Sequence, residues 1–213
     1  MMLSSAATWV PSMNPFEVGG LIFGLLCVIL LIRRNIWTWP CGIVYVLFSF
    51  IVFAQYRLYG DFIVHVVFLL LNVYGWIHWA NGRGADQQDV KVSYSSSTQN
   101  LVHLAISVVG ILVFAQVLSY LPSIIPELPP AAIPYWDSTT SVLSITGVWL
   151  TTQKKIENWY YWLAVDVLST GIYWYKGMFF YSVLYFVYIG LAISGYVAWR
   201  RSWLSNSATA QTY

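Results

Sequence analysis

Seven long, mostly apolar runs follow one another along this chain, and they leave almost no choice of solvent. They are roughly Phe16–Ile32, Trp37–Tyr56, Tyr59–Trp79, Leu101–Leu121, Ser138–Thr152, Trp159–Tyr175 and Met178–Trp199. A membrane helix needs about 20 such residues, within a range of about 17–25. Only 8% of the residues are charged and 59% are hydrophobic, whereas soluble domains carry about 25% charge. Too few charges remain to cover a surface in water, so lipid is the solvent for most of the chain. A net charge of +2 without any basic run also excludes nucleic acid as a partner.

Segments between the runs have their own character. Met1–Phe16 holds no Lys or Arg, so a cleavable signal is not expected there. Ala80–Asn100 is polar, with Gly82, Gly84 and a Ser-rich stretch, and reads as an exposed linker. Pro122–Trp136 holds five prolines. That predicts an ordered, extended, helix-free loop, because proline removes a backbone donor and fixes φ. Cys27 and Cys41 show no CxxC spacing and read as small apolar side chains, not as a disulfide framework.

The basic residues orient the bundle. Arg33, Arg34, Arg83, Lys91, Lys154, Lys155, Arg200 and Arg201 fall on one side, and only Arg57 and Lys176 on the other. This asymmetry predicts a cytoplasmic C-terminus and an external N-terminus in a bacterial inner membrane.

Sliding the sequence past itself by 120 residues puts Trp39 on Trp159, Gly75 on Gly195 and Trp79 on Trp199 without a gap. Arg33-Arg34 and Lys154-Lys155 each follow the first span of their half. The reading is an all-α integral membrane protein with a duplicated three-helix unit. Residues 16–79 form the first copy, residues 80–137 hold the linker, the fourth span and the Pro-rich loop, and residues 138–200 form the second copy. An odd connecting span makes the repeat parallel, a plan transporters use with the substrate held at the midplane between halves.

Polar groups inside spans are costly and therefore informative. The candidates are Gln55, His65, Asn72, Gln116, Asp137, Asn158 and Asp166. Asp166 sits mid-span, one turn after Trp162. It reads either as a cavity-facing anion for a cationic or polar substrate, or as a protonated acid bonded to a neighbouring helix. His65 and Asn72 are seven apart and share a helix face with Trp76. That stripe serves either a ligand or interhelical hydrogen bonds. No second His or Cys stands at ligand spacing near His65, so no metal is expected. Trp37, Trp39, Trp79, Trp159, Trp199 and Trp203 read as interfacial belt residues. Tyr45, Trp162, Tyr173 and Trp174 lie deeper, where rings can stack on a flat heteroaromatic ligand or attract a cation. No phosphate loop, nucleophile elbow or zinc-protease motif occurs, so neither an enzyme nor a bound cofactor is expected.

Several blocks carry a family resemblance. They are Pro126-Glu127-Leu128, Pro134-Tyr135-Trp136-Asp137-Ser138, Lys155-Ile156-Glu157-Asn158-Trp159 with Trp162, Lys176-Gly177, and Asn72-Val73-Tyr74-Gly75-Trp76 with Trp79. Over about residues 16–200 the chain resembles the PnuC family of vitamin transporters. The resemblance implies a SWEET-like three-plus-one-plus-three architecture, a homotrimer, and import of nicotinamide riboside by facilitated diffusion with trapping by a cytoplasmic kinase. Sister groups carry thiamine or riboflavin. Asp166 and His65 stand where nicotinamide riboside carriers usually have Asn and Gln. Since nicotinamide riboside and thiamine are both cationic heteroaromatics, an added carboxylate suits either. The expected site is Tyr45, His65, Asn72, Trp76, Asp137, Trp162, Asp166 and Tyr173, around a small cationic heteroaromatic vitamin, with lipid as the remaining partner.

Overall fold

In lipid each backbone group must be satisfied inside its own segment, and the helix is the simplest way to do that. The computed structural model describes residues 14–56, 59–82, 91–124, 126 and 133–210. Among these are seven helices: α1 Pro15–Ile32, α2 Thr38–Tyr56, α3 Tyr59–Asn81, α4 Ser97–Ile124, α5 Pro134–Thr152, α6 Asn158–Tyr175 and α7 Phe179–Ala210. Helices α1, α2, α3, α4 and α7 are long and apolar enough to cross a membrane. Helices α5 and α6 are less apolar, because they carry many of the hydroxyl and carboxylate groups described below. Neighbour contacts run α1–α2–α3–α5–α6–α7 and back to α1, while α4 packs against α5. Six helices thus close a ring.

Local chemistry sets the helix ends. The Asn14 side chain accepts from the N–H groups of Phe16 and Glu17, Glu17 reaches back to the Asn14 N–H, and Pro15 opens the helix. At the other end of α1, the Asn35 N–H bonds the Leu30 carbonyl and the Arg34 N–H bonds that of Leu31. Arg34 has φ +56°. This is a Schellman end with an arginine in the left-handed position that glycine usually takes. The end of α5 repeats it 120 residues on: Lys155 N–H to Leu150, Lys154 N–H to Thr151, and Lys154 at φ +48°.

Four of the six tryptophans read as a membrane belt are instead the core of the basic end. Trp39, Trp79, Trp159 and Trp199 are 3%, 2%, 2% and 0% exposed. Trp39 meets Trp79 edge-on at 5.2 Å, and Trp159 meets Trp199 edge-on at 5.6 Å. Each pair needs a glycine: a Cβ on Gly75 would lie 2.5–2.6 Å from Trp39 Cζ3 and Cζ2, and one on Gly195 would run into Trp159 in the same way. The indole N–H of Trp79 donates to the Thr152 carbonyl at 2.9 Å, and that of Trp199 to Leu31 at 3.1 Å. Both are last-turn carbonyls without an α-helical i+4 partner; that of Leu31 also accepts from the Arg34 N–H of the Schellman end. Trp37, 63% exposed, does lie on the outside.

Other expectations need correction. The Pro-rich stretch is not helix-free, since Pro122 lies in the last turns of α4 and Pro134 opens α5. Proline is tolerated at a first helical position because that N–H has no intrahelical partner anyway. The linker is not simply exposed either. Val92 is buried, and Ser93 exchanges backbone bonds with Lys154 and Ile156. Trp174 is 65% exposed, at the end of α6, and not deep. Arg57, Arg83, Pro129 and Pro130 lie outside the described residues.

Candidate functional site

A cavity of about 330 Å3 lies within the ring, lined from all six ring helices and not from α4. Of the eight residues expected at the site, Tyr45, His65, Asn72, Asp137, Trp162, Asp166 and Tyr173 line it. Trp76 does not, and it is 43% exposed. The inward seam of α3 runs His65, Phe68, Asn72, Gly75, Trp79 in steps of three and four. Trp76 is one residue past Gly75, about 100° around the helix, and points aside. Gln55 bonds Asn14, and Gln116 bonds the Tyr135 hydroxyl, both at exposed positions away from the cavity. Asn158 bonds the Lys155 carbonyl at the start of α6.

The two sides of the cavity differ in chemistry. On the α5–α6–α7 side Trp162 packs over Gly147, where a Cβ would stand 3.3 Å from its ring. Asp166, one turn on, is 6% exposed. Among the described residues its carboxylate receives no hydrogen bond. An unpaired carboxylate in a span is expensive, and a cavity that hydrates it or a ligand that pairs with it offsets that cost. Tyr173 stacks on Tyr185 at 5.3 Å, and Tyr188 meets Tyr185 at a tilt with 5.9 Å between centroids, giving an aromatic wall. On the α1–α2–α3 side Asn72 donates to the Phe68 carbonyl at 2.8 Å. Its Oδ1 therefore turns to Gly42, where a Cβ would lie 3.0 Å from the amide carbon and closer still to the oxygen. The glycine makes room for the amide. His65 bonds the Asp61 carbonyl and the Tyr45 hydroxyl.

The ends of the cavity are unlike. One end has Asp61 and Asp137 in its lining, with Lys176 3.9 Å from Asp137 and the pair 35–40% exposed. The other reaches Trp39 and Trp159, which the tryptophan cluster shuts off from solvent. Among the described residues no cluster of His, Cys, Asp and Glu has the makings of a metal site. The arrangement can hold a small, partly aromatic molecule at membrane depth, open to one side.

The family model described as "Nicotinamide mononucleotide transporter" matches residues 14–201. The chain belongs to that family. It is 31% identical to the nicotinamide riboside transporter PnuC of Escherichia coli (strain K12), over 87% of this chain and 85% of that one. It is 27% identical to the riboflavin/roseoflavin transporter RibM of Streptomyces davaonensis, over 89% and 85% of the two chains. The PnuC of Neisseria mucosa is 26% identical, over 84% and 70%. A crystal structure of the vitamin B3 transporter PnuC superposes with a TM-score of 0.71 over 94% of this chain and 87% of that one, at 23% identity, and so shares the fold. The relatives are transporters, not enzymes, and this chain is a multi-pass transporter of the same family.

Within that family frame, the sequence reading missed part of the lining. Asp137 was expected, but Ser141, Ser144, Val148 and Thr151 continue its stripe along α5 in steps of three and four, with Thr140 beside it. The spacing was visible, but hydroxyl residues are common in membrane helices, where they bond their own backbone, as Thr140 does to Trp136 and Asp137. Tyr185 and Tyr188 stand three apart on α7 and were lost among many other aromatics. Asp61 lies in the first turn of α3, where an acid is ordinarily explained by the helix dipole.

Proposed function

We propose that this chain carries a flat, cationic, donor-bearing vitamin precursor, nicotinamide riboside first, inward across a bacterial inner membrane by facilitated diffusion. The observation that carries the reading is Asp166, a 6% exposed carboxylate that faces the cavity one turn from Trp162. A cation offsets the charge, and an aromatic cation also stacks on the ring. The names of the E. coli and N. mucosa relatives support the same substrate. In the proposed cycle Trp162, Tyr45 and Tyr173 meet the heteroaromatic ring. Asp166 and Asn72 take its polar groups, with Asp137 at the entrance. Two copies of one unit, residues 16–79 and 138–200, rock about the site while residues 80–137 connect them. The recurrence of the Schellman ends and of both tryptophan–glycine pairs at one offset supports that division. No bond is made or broken in transport; phosphorylation by a cytoplasmic kinase then traps the substrate. We place the N-terminus outside and the C-terminus in the cytoplasm, and expect a homotrimer.

Calorimetric titration of purified protein with nicotinamide riboside, thiamine and riboflavin tests this. Nicotinamide riboside should bind most tightly, and Asp166→Ala should weaken it at least about tenfold, equivalent to about 1.4 kcal/mol. Unchanged affinity would remove Asp166 from the site. Thiamine is the second reading, because its aminopyrimidine can donate to the same carboxylate. The RibM relative favours riboflavin, but that ligand is neutral and leaves Asp166 without a counter-charge. A membrane scaffold or sensor is the reading from another class; it requires that apolar replacement of Asp166 and Asn72 leave uptake intact.

A further inference from the structure

The two nitrogens of His65 face different partners. Nδ1 lies 2.9 Å from the backbone carbonyl oxygen of Asp61, one turn earlier on α3. Nε2 lies 3.3 Å from the hydroxyl of Tyr45 on α2. A carbonyl oxygen only accepts, so Nδ1 carries the proton. In the neutral ring Nε2 is then a lone pair, and the Tyr45 O–H must donate to it. That leaves the Tyr45 oxygen with lone pairs alone for anything in the cavity. The ring has little freedom to turn: it is 8% exposed, with the Phe53 and Phe68 rings at 4.6 and 5.1 Å. Asn72 repeats the logic one face-turn along. One N–H of its amide is committed to Phe68, which fixes the amide and leaves its oxygen as an acceptor beside the second N–H. The Tyr45 hydroxyl has had its only donor taken by the protein, and the Asn72 amide one of its two.

We propose that His65 is a specificity-setting positioning residue. Through its Nδ1–H tautomer it fixes Tyr45 as an acceptor, so that this wall, with Asn72, selects ligands that present N–H or O–H donors. The inference rests on reading the cavity as the substrate site. It goes further by giving the ligand a direction. At the 120-residue offset Tyr45 and His65 fall on Val165 and Tyr185, which cannot form such a relay. Tyr45 therefore serves the ligand's donors rather than stacking on its ring, which is left to Trp162 and Tyr173 beside Asp166.

Two measurements test it. The chain has three histidines, so in protein labelled with 15N-histidine the His65 signals are those lost in His65→Gln. The expected spectrum is an Nδ1–H tautomer whose Nε2 resonance moves in Tyr45→Phe. An Nε2–H tautomer, or a doubly protonated ring, overturns the proposal whatever the protein carries. The second is the affinity of purified protein for nicotinamide riboside. His65→Leu should weaken it about tenfold, the loss expected of one hydrogen bond whose geometry is no longer fixed. In a Tyr45→Phe background the same change should do nothing further. His65→Gln, whose amide oxygen can accept from Tyr45, should keep most of the affinity. An equal loss with and without the Tyr45 hydroxyl would make His65 a packing residue and overturn the proposal. If the wild type binds no vitamin, the functional reading fails, and the tautomer spectrum still decides this one.

Discussion

Replacing Trp79 or Trp199 by Phe removes the same indole N–H from equivalent places, yet the two changes should not cost the same. The Leu31 carbonyl that accepts from Trp199 also accepts from the Arg34 N–H at 2.8 Å. Among the described residues the Thr152 carbonyl has Trp79 alone. The N–H that would have continued its helical ladder, that of Ile156, is bonded to Ser93 at 3.0 Å. Trp79→Phe therefore strands a buried carbonyl, at about 1–3 kcal/mol, with about 1 kcal/mol more for the smaller ring. The ring face under Lys154 Nζ, 4.3 Å from the Trp79 centroid, survives in Phe. The total is about 3 kcal/mol for Trp79→Phe and about 1.5 kcal/mol for Trp199→Phe, where the carbonyl keeps a partner. For a chain of this size about 2–4 °C accompanies each kcal/mol. Thermal unfolding in one detergent should show Trp79→Phe melting about 6–12 °C low and Trp199→Phe about 3–6 °C low. Equal drops, or the reverse order, would refute the orphan-carbonyl argument. Both bonds also tie neighbouring helices of the ring, α3 to α5 and α7 to α1. Loosening them should let an impermeant thiol reagent reach Cys27, which lines the cavity, from the basic end, and faster in Trp79→Phe; Cys41→Ala removes the other thiol from the readout.

Other outcomes follow from the same geometry. Gly75→Ala and Gly195→Ala should each destabilise by about 1–3 kcal/mol, because the new methyl meets a tryptophan with nowhere to go. Gly190→Ala, with nothing within 4 Å of the new atom, is the matched control and should leave the melting temperature unchanged or higher. Gly42→Ala should turn the Asn72 amide and lower nicotinamide riboside affinity about tenfold, while the ligand-free melting temperature falls only a few degrees. Arg34→Gly relieves a left-handed residue and gives up only an exposed bond from its guanidinium to the Ser202 hydroxyl, so it should gain about 0.5–1 kcal/mol in unfolding measurements. Lys154→Gly should gain less, since it also gives up the contact over Trp79.

What could be read in advance, and what could not, divides along physical lines. The spans were legible because lipid imposes one rule on every residue at once, and a rule of that kind survives errors at single positions. Their ends were not, because Pro134 looks the same in a loop as at a first helical position, and only the chain before it decides. The tryptophans misled for a related reason. An indole near a helix end has the same hydropathy whether it faces headgroups or a neighbouring helix. The clue was the partner: Trp39 to Gly75 and Trp159 to Gly195 are both 36 apart, and a large ring recurring with an absent side chain signals packing, not an interface. Asp166 and His65 stood out because ionisable groups in spans are rare, whereas the Thr140–Ser141–Ser144 stripe was hidden because hydroxyls in spans are common. On the proposed reading the frame repeats, and function sits where the repeat fails: Gly42 against Trp162, Val46 against Asp166, His65 against Tyr185, Asn72 against Ala192. The first and last pairs trade size as well as chemistry, a small residue making room for a large one on the adjoining helix in each half. Periodicity can reveal a frame of that kind, but a single unmatched residue has no period. Its role emerges only from what the fold sets beside it, as Gly42 is set beside Asn72 and Asp166 beside an open cavity.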